Sequence, residues 1–272
     1  MYNPPVVTVD IIAVGNEILL GFVQDTNSNY LCQLVRRMGG RVQHVSAVLD
    51  EINAVAGEIH ASLKRGALLI LTCGGLGPTD DDLTLAAVAK ATDHDLELNA
   101  TAQQFVERRY RELASQGYVS NAEMTESRLK MAWLPEGARP IENPIGAAPA
   151  VVLETDPTFI ISLPGVPAEL KAIVEGPLQY LLVEVFGRRA YREREIFVEC
   201  SDESQLAPLL REVVSSHPDV YIKSRASRFG PDVKFRILIA TSGASVEQAE
   251  HSIESVATDL SRSLEKHGIR MM

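Results

Sequence analysis

The sequence predicts an α/β fold in which helices cover both faces of a mostly parallel sheet, followed by a small α+β domain. Three strand-like segments, at 6–14, 42–48 and 67–71, alternate with stretches of helical spacing. A length of 272 residues fits one large or two modest domains. We place the first domain at 1–187 and the second at 194–272.

The helices predicted in the first domain have clear start and stop signals. A helix over 27–38 ends at Gly39-Gly40, since glycine commonly follows the last turn of a helix. Asp50 can cap a helix that runs to about Arg65, and a helix over 167–186 begins favourably with proline. The pattern also predicts helices at 83–91, 101–116 and 122–133, a Pro/Gly loop at 143–149, and paired strands at 151–153 and 159–163.

The segment 187–194 is rich in arginine and interrupts this pattern, so we interpret it as a linker. The second domain then reads as a strand, a helix, two strands and a long helix. Their predicted positions are 195–200, 203–216, 220–224, 233–240 and 246–266.

Bulk composition excludes several classes of protein. The net charge of −10 argues against a general binder of nucleic acid or of anionic membranes. The three cysteines, Cys32, Cys73 and Cys200, are widely spaced, which argues against a disulfide framework or a zinc site and suits a reducing cytoplasm. No apolar run reaches the roughly 18 residues of a membrane helix. We therefore expect a cytoplasmic protein without a membrane partner.

The most informative segment is Gly74-Gly75-Leu76-Gly77-Pro78-Thr79-Asp80-Asp81-Asp82, which follows the strand at 67–71. Glycines let a backbone approach a ligand closely and point its N–H groups at an anion, and the following helix start favours negative charge. Neighbouring carboxylates would repel a bare phosphate unless a divalent cation bridges them. The segment matches neither the Walker loop nor the dinucleotide fingerprint. It predicts a metal-assisted phosphate or pyrophosphate site.

Acidic residues from two loops are candidates for that site. Asp81 or Asp82 has a metal-binding or catalytic role in this hypothesis, although a single aspartate at a helix start is usually an N-cap. Glu17 or Asp25, after the first strand, would contribute a second carboxylate, while helix capping by Asp25 or Thr26 is a sufficient alternative. Oxygen donors suit a hard cation such as magnesium.

Two further features have open interpretations. Gly165, before a predicted helix, would bind a second anion or a ribose, or form a plain turn, and Glu169 is interpreted as a partner of the helix dipole. Basic residues cluster at Lys223, Arg225 and Arg228, but the GxxG clamp of a KH module is absent. We interpret this cluster as a solvated hairpin and expect no nucleic-acid partner.

Taken together, the loops resemble the CinA (competence/damage-inducible protein A) family, whose N-terminal region is a molybdopterin-binding, MogA-like domain. The region from about Arg194 resembles the small KH-like module of that family. The motifs that carry the resemblance are Gly15-Asn16-Glu17-Ile18-Leu19-Leu20-Gly21, Asp25-Thr26-Asn27, Gly74 to Thr84, Asn143-Pro144-Ile145-Gly146, and Leu163-Pro164-Gly165-Val166-Pro167-Ala168-Glu169.

The resemblance implies a three-layer α/β/α fold and hydrolysis of a nucleotide pyrophosphate with a divalent cation (Mg, Mn or Co). ADP-ribose, giving AMP and ribose 5-phosphate, is the implied substrate, with FAD as another candidate. The implied catalytic residues are Asp82, Asp81 and Asp25, and the implied metal ligands are Asp82, Asp81 and Glu17. The implied substrate- and phosphate-binding residues are Gly74, Gly75, Gly77, Thr79, Asn143, Gly146 and Gly165.

The resemblance also implies a homo-oligomer, with a dimer favoured. No nicotinamide mononucleotide deamidase activity is expected, because the sequence ends at Met272 without room for that C-terminal domain. The chain departs from the family at Asn16 and at Ala147 to Ala150, where a hydroxyl and a glycine are lost, and this puts substrate choice in doubt.

Two alternatives to hydrolysis remain at this point. One is molybdopterin binding or adenylyl transfer in molybdenum cofactor biosynthesis, which would use the same loops. The other is a non-catalytic nucleotide-binding module. RNA as the ligand of such a module is disfavoured by the acidic charge and the missing GxxG, so we expect a small nucleotide or pterin as the ligand.

Overall fold

The computed structural model describes residues 6–187, 189–200, 202–226 and 234–272, apart from the side chains of Ala226 and Lys234. The chain divides into two compact units. The first comprises Met1–Val35 and Gly40–Val185, and the second comprises Arg36–Gly39 and Phe186–Met272. In the described part of the chain, no helix is both long and apolar enough to cross a lipid bilayer.

The first unit is built on a six-stranded, mostly parallel sheet with the order β2-β1-β3-β8-β7-β6. The strands β2, β1, β3 and β8 run parallel, whereas β7 and β6 are antiparallel to their neighbours. A separate antiparallel pair is formed by β4 and β5. The strand bounds are β1 Thr8–Val14, β2 Arg41–Val48, β3 Leu69–Cys73, β4 Leu96–Leu98, β5 Trp133–Pro135, β6 Arg139–Ile141, β7 Ala150–Thr155 and β8 Thr158–Leu163.

Eight helices of the described residues belong to this unit and complete the predicted three-layer α/β/α fold. They are α1 Asn16–Leu19, α2 Thr26–Arg37, α3 Ile52–Lys64, α4 Thr84–Ala91, α5 Ala100–Ser115, α6 Glu126–Lys130, α7 Pro167–Glu175 and α8 Gln179–Phe186. All five residues of β3 are buried, as a central strand covered on both faces requires. A large core cluster joins strand residues such as Ile12, Ile70 and Ile160 to helix residues such as Val55 and Val88.

Three local predictions in this unit were wrong. The helix expected at 122–133 is the single turn α6, and the chain is already in strand β5 at Trp133. The helix expected from Pro167 to Phe186 is two helices, because Gly176 and Pro177 interrupt it. Asp50 does not cap α3, whose N-cap is Glu51 without a side-chain capping bond. The paired strands predicted at 151–153 and 159–163 are confirmed as β7 and β8.

The second unit has a four-stranded antiparallel sheet, ordered β10-β11-β9-β12, with the helices α9 and α10. Its element order, βαββαβ, is that of the split βαβ, or ferredoxin-like, arrangement. The resemblance to a KH-like module stays a prediction. The bounds are β9 Ala190–Glu199, α9 Glu203–Ser216, β10 Tyr221–Ala226, β11 Lys234–Gly243, α10 Val246–Lys266 and β12 Arg270–Met271.

Both helices predicted for this unit are confirmed at their expected bounds. The linker predicted at 187–194 was wrong over most of its length, because β9 begins at Ala190. Arg192 and Arg194 point to α10, where they pair with Glu250 and Glu254. Lys223 and Arg225 are exposed on β10, as expected of a solvated hairpin, and Arg228 lies outside the described residues.

A buried ion pair ties α3 to the centre of the first sheet. Asp10, in the middle of β1, is 0% exposed, and its Oδ2 accepts hydrogen bonds from Nε of Arg65 at 2.8 Å and from a terminal guanidinium nitrogen at 2.7 Å. The same guanidinium also contacts Glu58 at 2.6 Å. Since a buried carboxylate is costly without its partner, Arg65 stabilises the first unit at this point.

Replacing Arg65 by methionine is expected to lower the free energy of unfolding by about 3–5 kcal/mol, because it leaves the Asp10 carboxylate buried without a counter-charge. Urea unfolding followed by the fluorescence of Trp133, the only tryptophan of the chain, measures the loss in the first unit. The control is Arg139→Met, which removes an exposed pair with Glu154 and should cost less than about 1 kcal/mol. Equal losses in the two variants would contradict the role of the buried pair.

Candidate functional site

Three parallel strands end side by side at one edge of the first sheet, and the loops that follow them meet there. Gly15 follows β1, Gly74 follows β3 and Pro164 follows β8. The N–H of Gly74 donates to the carbonyl of Leu163 at 3.0 Å, so the second and third loops are joined directly. This carboxyl edge is where ligands bind in open α/β sheets.

The glycine loop packs so closely against its neighbours that side chains are excluded at Gly74 and Gly75. A Cβ on Gly74 would lie 2.1 Å from the carbonyl oxygen of Val14, and one on Gly75 would lie 2.4 Å from Oγ1 of Thr84. A Cβ on Gly77 would lie 2.7 Å from Oδ2 of Asp82. Gly74 and Gly75 also have φ values of 112° and 66°, which favour glycine. The loop therefore presents bare backbone to the space above it.

Thr79 organises the acidic turn that follows the glycine loop. Its N–H donates to Oδ2 of Asp82 at 2.8 Å, and its hydroxyl contacts the carboxylates of both Asp81 and Asp82. The Nζ of Lys130, at the end of α6, donates to the carbonyl of Thr79. The hydrogen bond from Thr79 is the largest cause that lowers the pKa of Asp81, and the charge of Lys130 lowers it further. Asp81 therefore stays ionised at neutral pH.

The loops enclose a cleft of about 570 Å³, which lies within the size range of small-molecule sites. Seven of the predicted site residues line it, whereas Thr79, Asn143, Gly146 and Asp25 are not part of its lining. The seven are Glu17, Gly74, Gly75, Gly77, Asp81, Asp82 and Gly165. Residues that were not predicted to belong to the site complete the lining, among them Asp50, Tyr110, Met131 and Val166.

Asp25 has the capping role that was the alternative interpretation of this residue. Its Oδ1 accepts a hydrogen bond from the N–H of Ser28 at 2.9 Å, in the first turn of α2. Burial raises the pKa of the Cys73 thiol to about 12, and the charge of Asp25 adds to this effect. Asp25 is thus close enough to Cys73 to affect its thiol, and it is not part of the cleft lining.

Asn143 holds the loop before β7 and reaches the cleft through Glu169. Its Oδ1 accepts from the N–H of Gly146 at 2.8 Å, and its Nδ2 donates to the carbonyl of Ala148 at 2.9 Å and to Oε2 of Glu169 at 2.7 Å. A Cβ on Gly146 would lie 2.1 Å from that same carboxylate oxygen. Asn143 and Gly146 therefore shape the wall of the cleft from behind.

Asp50 is a cleft residue that sequence reasoning missed, because it was interpreted as a helix cap. Its Oδ2 accepts from the N–H of Asn16 at 2.7 Å, which ties β2 to the start of α1. Burial is the largest cause that raises the pKa of Asp50, and the charges of Glu17, Asp81 and Asp82 raise it further. The Asn16 hydrogen bond opposes them in part. The effect of three other carboxylates on Asp50 shows that negative charge is concentrated on this side of the cleft.

The donor set of the cleft suits a hard cation in kind but is not a preformed cage. Four carboxylates line the acidic side, and the described lining contains neither histidine nor cysteine. In the described part of the chain, no three His, Cys, Asp or Glu side chains are grouped closely enough to hold a metal ion. Magnesium is commonly bound by one or two carboxylates together with substrate phosphates, and this donor set fits that arrangement.

Comparisons with known proteins bear on the same part of the chain. A family model described as "Probable molybdopterin binding domain" matches residues 10–182, which include every residue of the cleft lining. A protein of Aeropyrum pernix is 40% identical over 243 residues, with 88% of each chain covered. A protein of Thermococcus kodakarensis is 36% identical over 249 residues, covering 90% of this chain and 96% of its own.

A solved structure is also similar. The crystal structure of the protein CinA, with unknown function, from Thermoplasma acidophilum is 32% identical and has a TM-score of 0.59. The match covers 65% of this chain and 98% of that chain. The likeness agrees with the resemblance drawn from the loop motifs.

Asp50→Asn is expected to stabilise the protein at pH 7 but not at pH 4. The pKa of Asp50 is raised in the folded state, so its neutral carboxyl contributes to the stability of the fold. This contribution is fully present below the pKa of an unfolded aspartate, about 4, and is lost as the pH rises through the folded pKa. Urea unfolding at the two pH values measures the difference.

The matched control is Asp95→Asn, which removes the same charge from an exposed position away from the cleft lining. If the free energy of unfolding changes with pH in the same way in both variants, the neighbouring carboxylates of Asp50 are not the cause of the change.

Proposed function

This chain belongs to the family of probable molybdopterin binding domains, and we propose that its cleft binds a small phosphorylated ligand of the pterin class. The bare backbone of Gly74, Gly75 and Gly77 would receive the phosphate. The observation that carries the proposal is the exclusion of side chains from Gly74 and Gly75, where φ is positive and an added Cβ would lie 2.1 Å from the carbonyl oxygen of Val14 and 2.4 Å from Oγ1 of Thr84. Because the N–H of Gly74 already donates to the carbonyl of Leu163, the phosphate would be received by the backbone N–H groups that follow it in the loop.

A divalent cation fits this proposal because it resolves a conflict of charge. A phosphate on the glycine loop would face Glu17, Asp50, Asp81 and Asp82, four of the five carboxylates of the cleft lining. Asp81 and Asp82 would hold the cation, with Glu17 as a further oxygen donor. The bound cation supplies positive charge between carboxylate and phosphate, while Thr79 keeps both aspartates in place.

Gly75→Ala is expected to weaken the binding of inorganic pyrophosphate, in the presence of magnesium, at least about tenfold, or ~1.4 kcal/mol. The added Cβ would meet Oγ1 of Thr84 at 2.4 Å, and alanine disfavours the φ of 66° at this position, so the loop must shift. Isothermal titration calorimetry measures the dissociation constant.

Gly137→Ala is the matched control. Gly137 has a similar φ of 76° but nothing within 4 Å of a Cβ, and it lies outside the cleft lining. Backbone strain is therefore shared by both variants, whereas the loop shift is not. Unchanged affinity in Gly75→Ala, or equal loss in both variants, would contradict the phosphate role of the loop.

A second candidate function is hydrolysis of a nucleotide pyrophosphate such as ADP-ribose, and the environment of Asp50 favours it. A carboxyl whose pKa is raised by burial and by neighbouring charge is a better general base than an ordinary aspartate. In this reaction a water molecule would attack one phosphorus and pass its proton to Asp50. The bond from that phosphorus to the bridging oxygen would break, giving AMP and ribose 5-phosphate.

Hydrolysis predicts release of AMP from ADP-ribose with magnesium, manganese or cobalt, and its loss in EDTA. Asp50→Asn is expected to lower the rate about 10²–10⁴-fold, the usual contribution of a general base. Asp82→Asn should also abolish turnover through loss of cation binding. The control Asp95→Asn, outside the cleft lining, should keep the wild-type rate.

Two outcomes of this assay would contradict hydrolysis that depends on a divalent cation. Release of AMP that survives EDTA would separate the activity from any cation. Absence of release by a protein that binds pyrophosphate in calorimetry would leave ligand binding as the function of the cleft.

A further inference from the structure

The two sides of the cleft differ in chemistry. One side carries Glu17, Asp50, Asp81 and Asp82, which lie on or near the loops after β1, β2 and β3. The opposite side is mostly apolar and has a single carboxylate, Glu169. Its lining comprises Tyr110, Met131, Ala147, Ala148, Pro164, Val166 and Pro167. This wall suits a flat ring rather than a phosphate.

We propose that Glu169 is the residue that selects the ring, by accepting hydrogen bonds from the paired donors on the edge of a pterin or guanine base. This inference rests on the proposed function, since it requires the phosphate of the same ligand on the glycine loop. Glu169 is then a specificity-determining residue, and adenine nucleotides are the ligands that it rejects.

The position of Glu169 is fixed from two directions. It lies in the first turn of α7, three residues after the N-cap Val166, and it is half-buried. Its Oε2 accepts from Nδ2 of the buried Asn143 at 2.7 Å. A carboxylate at this helix position often bonds back to its own helix start, but here it bonds to the loop before β7. The arrangement holds the carboxylate at the wall of the cleft.

Gly146 makes this arrangement possible. Its missing side chain leaves the space that the carboxylate occupies, because a Cβ there would lie 2.1 Å from Oε2. Among the described residues, Asn143 alone donates to Glu169. An ionised carboxylate has about four acceptor positions on its two oxygens, so most of its capacity remains for a ligand.

The edge chemistry of the candidate rings decides which of them fits. Pterin and guanine each carry a ring N–H beside an exocyclic amino group, and two parallel donors match the two oxygens of a carboxylate. Adenine carries an amino group beside a ring nitrogen that has a lone pair and no hydrogen. That ring nitrogen would face a carboxylate oxygen, and two acceptors cannot form a hydrogen bond. A site built around paired hydrogen bonds rejects a ligand that lacks one of them strongly.

The test compares GMP and AMP, which have the same sugar and phosphate, in calorimetric titrations with magnesium. Wild-type protein is expected to bind GMP at least about tenfold more tightly than AMP, since a paired hydrogen bond to a base edge discriminates to that extent. Glu169→Gln is expected to reverse the preference, because the amide offers one donor and one acceptor, as adenine requires. Glu184→Gln, an exposed change on α8 outside the cleft lining, should behave as wild type.

Inorganic pyrophosphate separates this inference from the proposed function. If wild-type protein does not bind pyrophosphate, the phosphate site itself fails. If pyrophosphate binds equally to wild type and Glu169→Gln but the ratio of GMP to AMP affinity does not change between them, the assignment of Glu169 is wrong. Expected instead are unchanged pyrophosphate affinity and a reversed ratio.

The two possible sources of the donor edge are distinguished by one further ligand. A phosphorylated 6-hydroxymethylpterin should bind more tightly than GMP if the cleft is shaped for a pterin, and more weakly if it is shaped for a guanine nucleotide. With either result, the role of Glu169 requires that Glu169→Gln lowers the affinity for the tighter-binding ligand at least about tenfold. A smaller loss would contradict it.

Discussion

The close approach of three strand ends is the constraint on which the rest of the site depends. Gly74 lies so near β1 that a Cβ would meet the carbonyl of Val14 at 2.1 Å, and a Cβ on Gly165 would lie 3.3 Å from the Cα of Gly74. Loops that pack backbone against backbone have little room for side chains between them. The chemistry of the site is therefore supplied by residues that follow: the Thr79–Asp82 turn on one side and α7 on the other.

Sequence reasoning found what is encoded locally. A run of glycines after an apolar strand places Gly74, Gly75 and Gly77 at the cleft, and the aspartates that follow are close to it by continuity of the chain. The contacts between distant segments could not be predicted in this way. Asp50 meets Asn16 across 34 residues, Lys130 meets Thr79 across 51, and Glu169 meets Asn143 across 26. The signal for Asp50 was present, but a helix cap explained the same residue.

The errors in element prediction also have physical causes. Arg192 and Arg194 lie on the side of β9 that is buried further along the strand, but they form ion pairs with α10 instead of apolar contacts. This part of the strand therefore lacks the apolar alternation by which a strand is predicted. Strand β5 has only three residues, too few to show a period of two. Its first residue was therefore assigned to the helix predicted before it. In contrast, α10 has 21 residues and a regular buried stripe, and its bounds follow from the sequence alone.

Charge and shape together narrow the class of ligand. On the acidic side the charges of Glu17, Asp81 and Asp82 raise the pKa of Asp50, so a phosphate bound there would need a counter-charge beside it, which is the role proposed for the cation. The apolar side would not favour a second phosphate, because in the described lining it carries the carboxylate of Glu169 and no basic residue. A ligand that satisfies both sides has one phosphorylated end and one flat ring with hydrogen-bond donors on its edge. Asn143 and Gly146 lie outside the lining but affect which ring would bind. Asn143 donates a hydrogen bond to the carboxylate of Glu169, and Gly146 leaves the space that this carboxylate occupies.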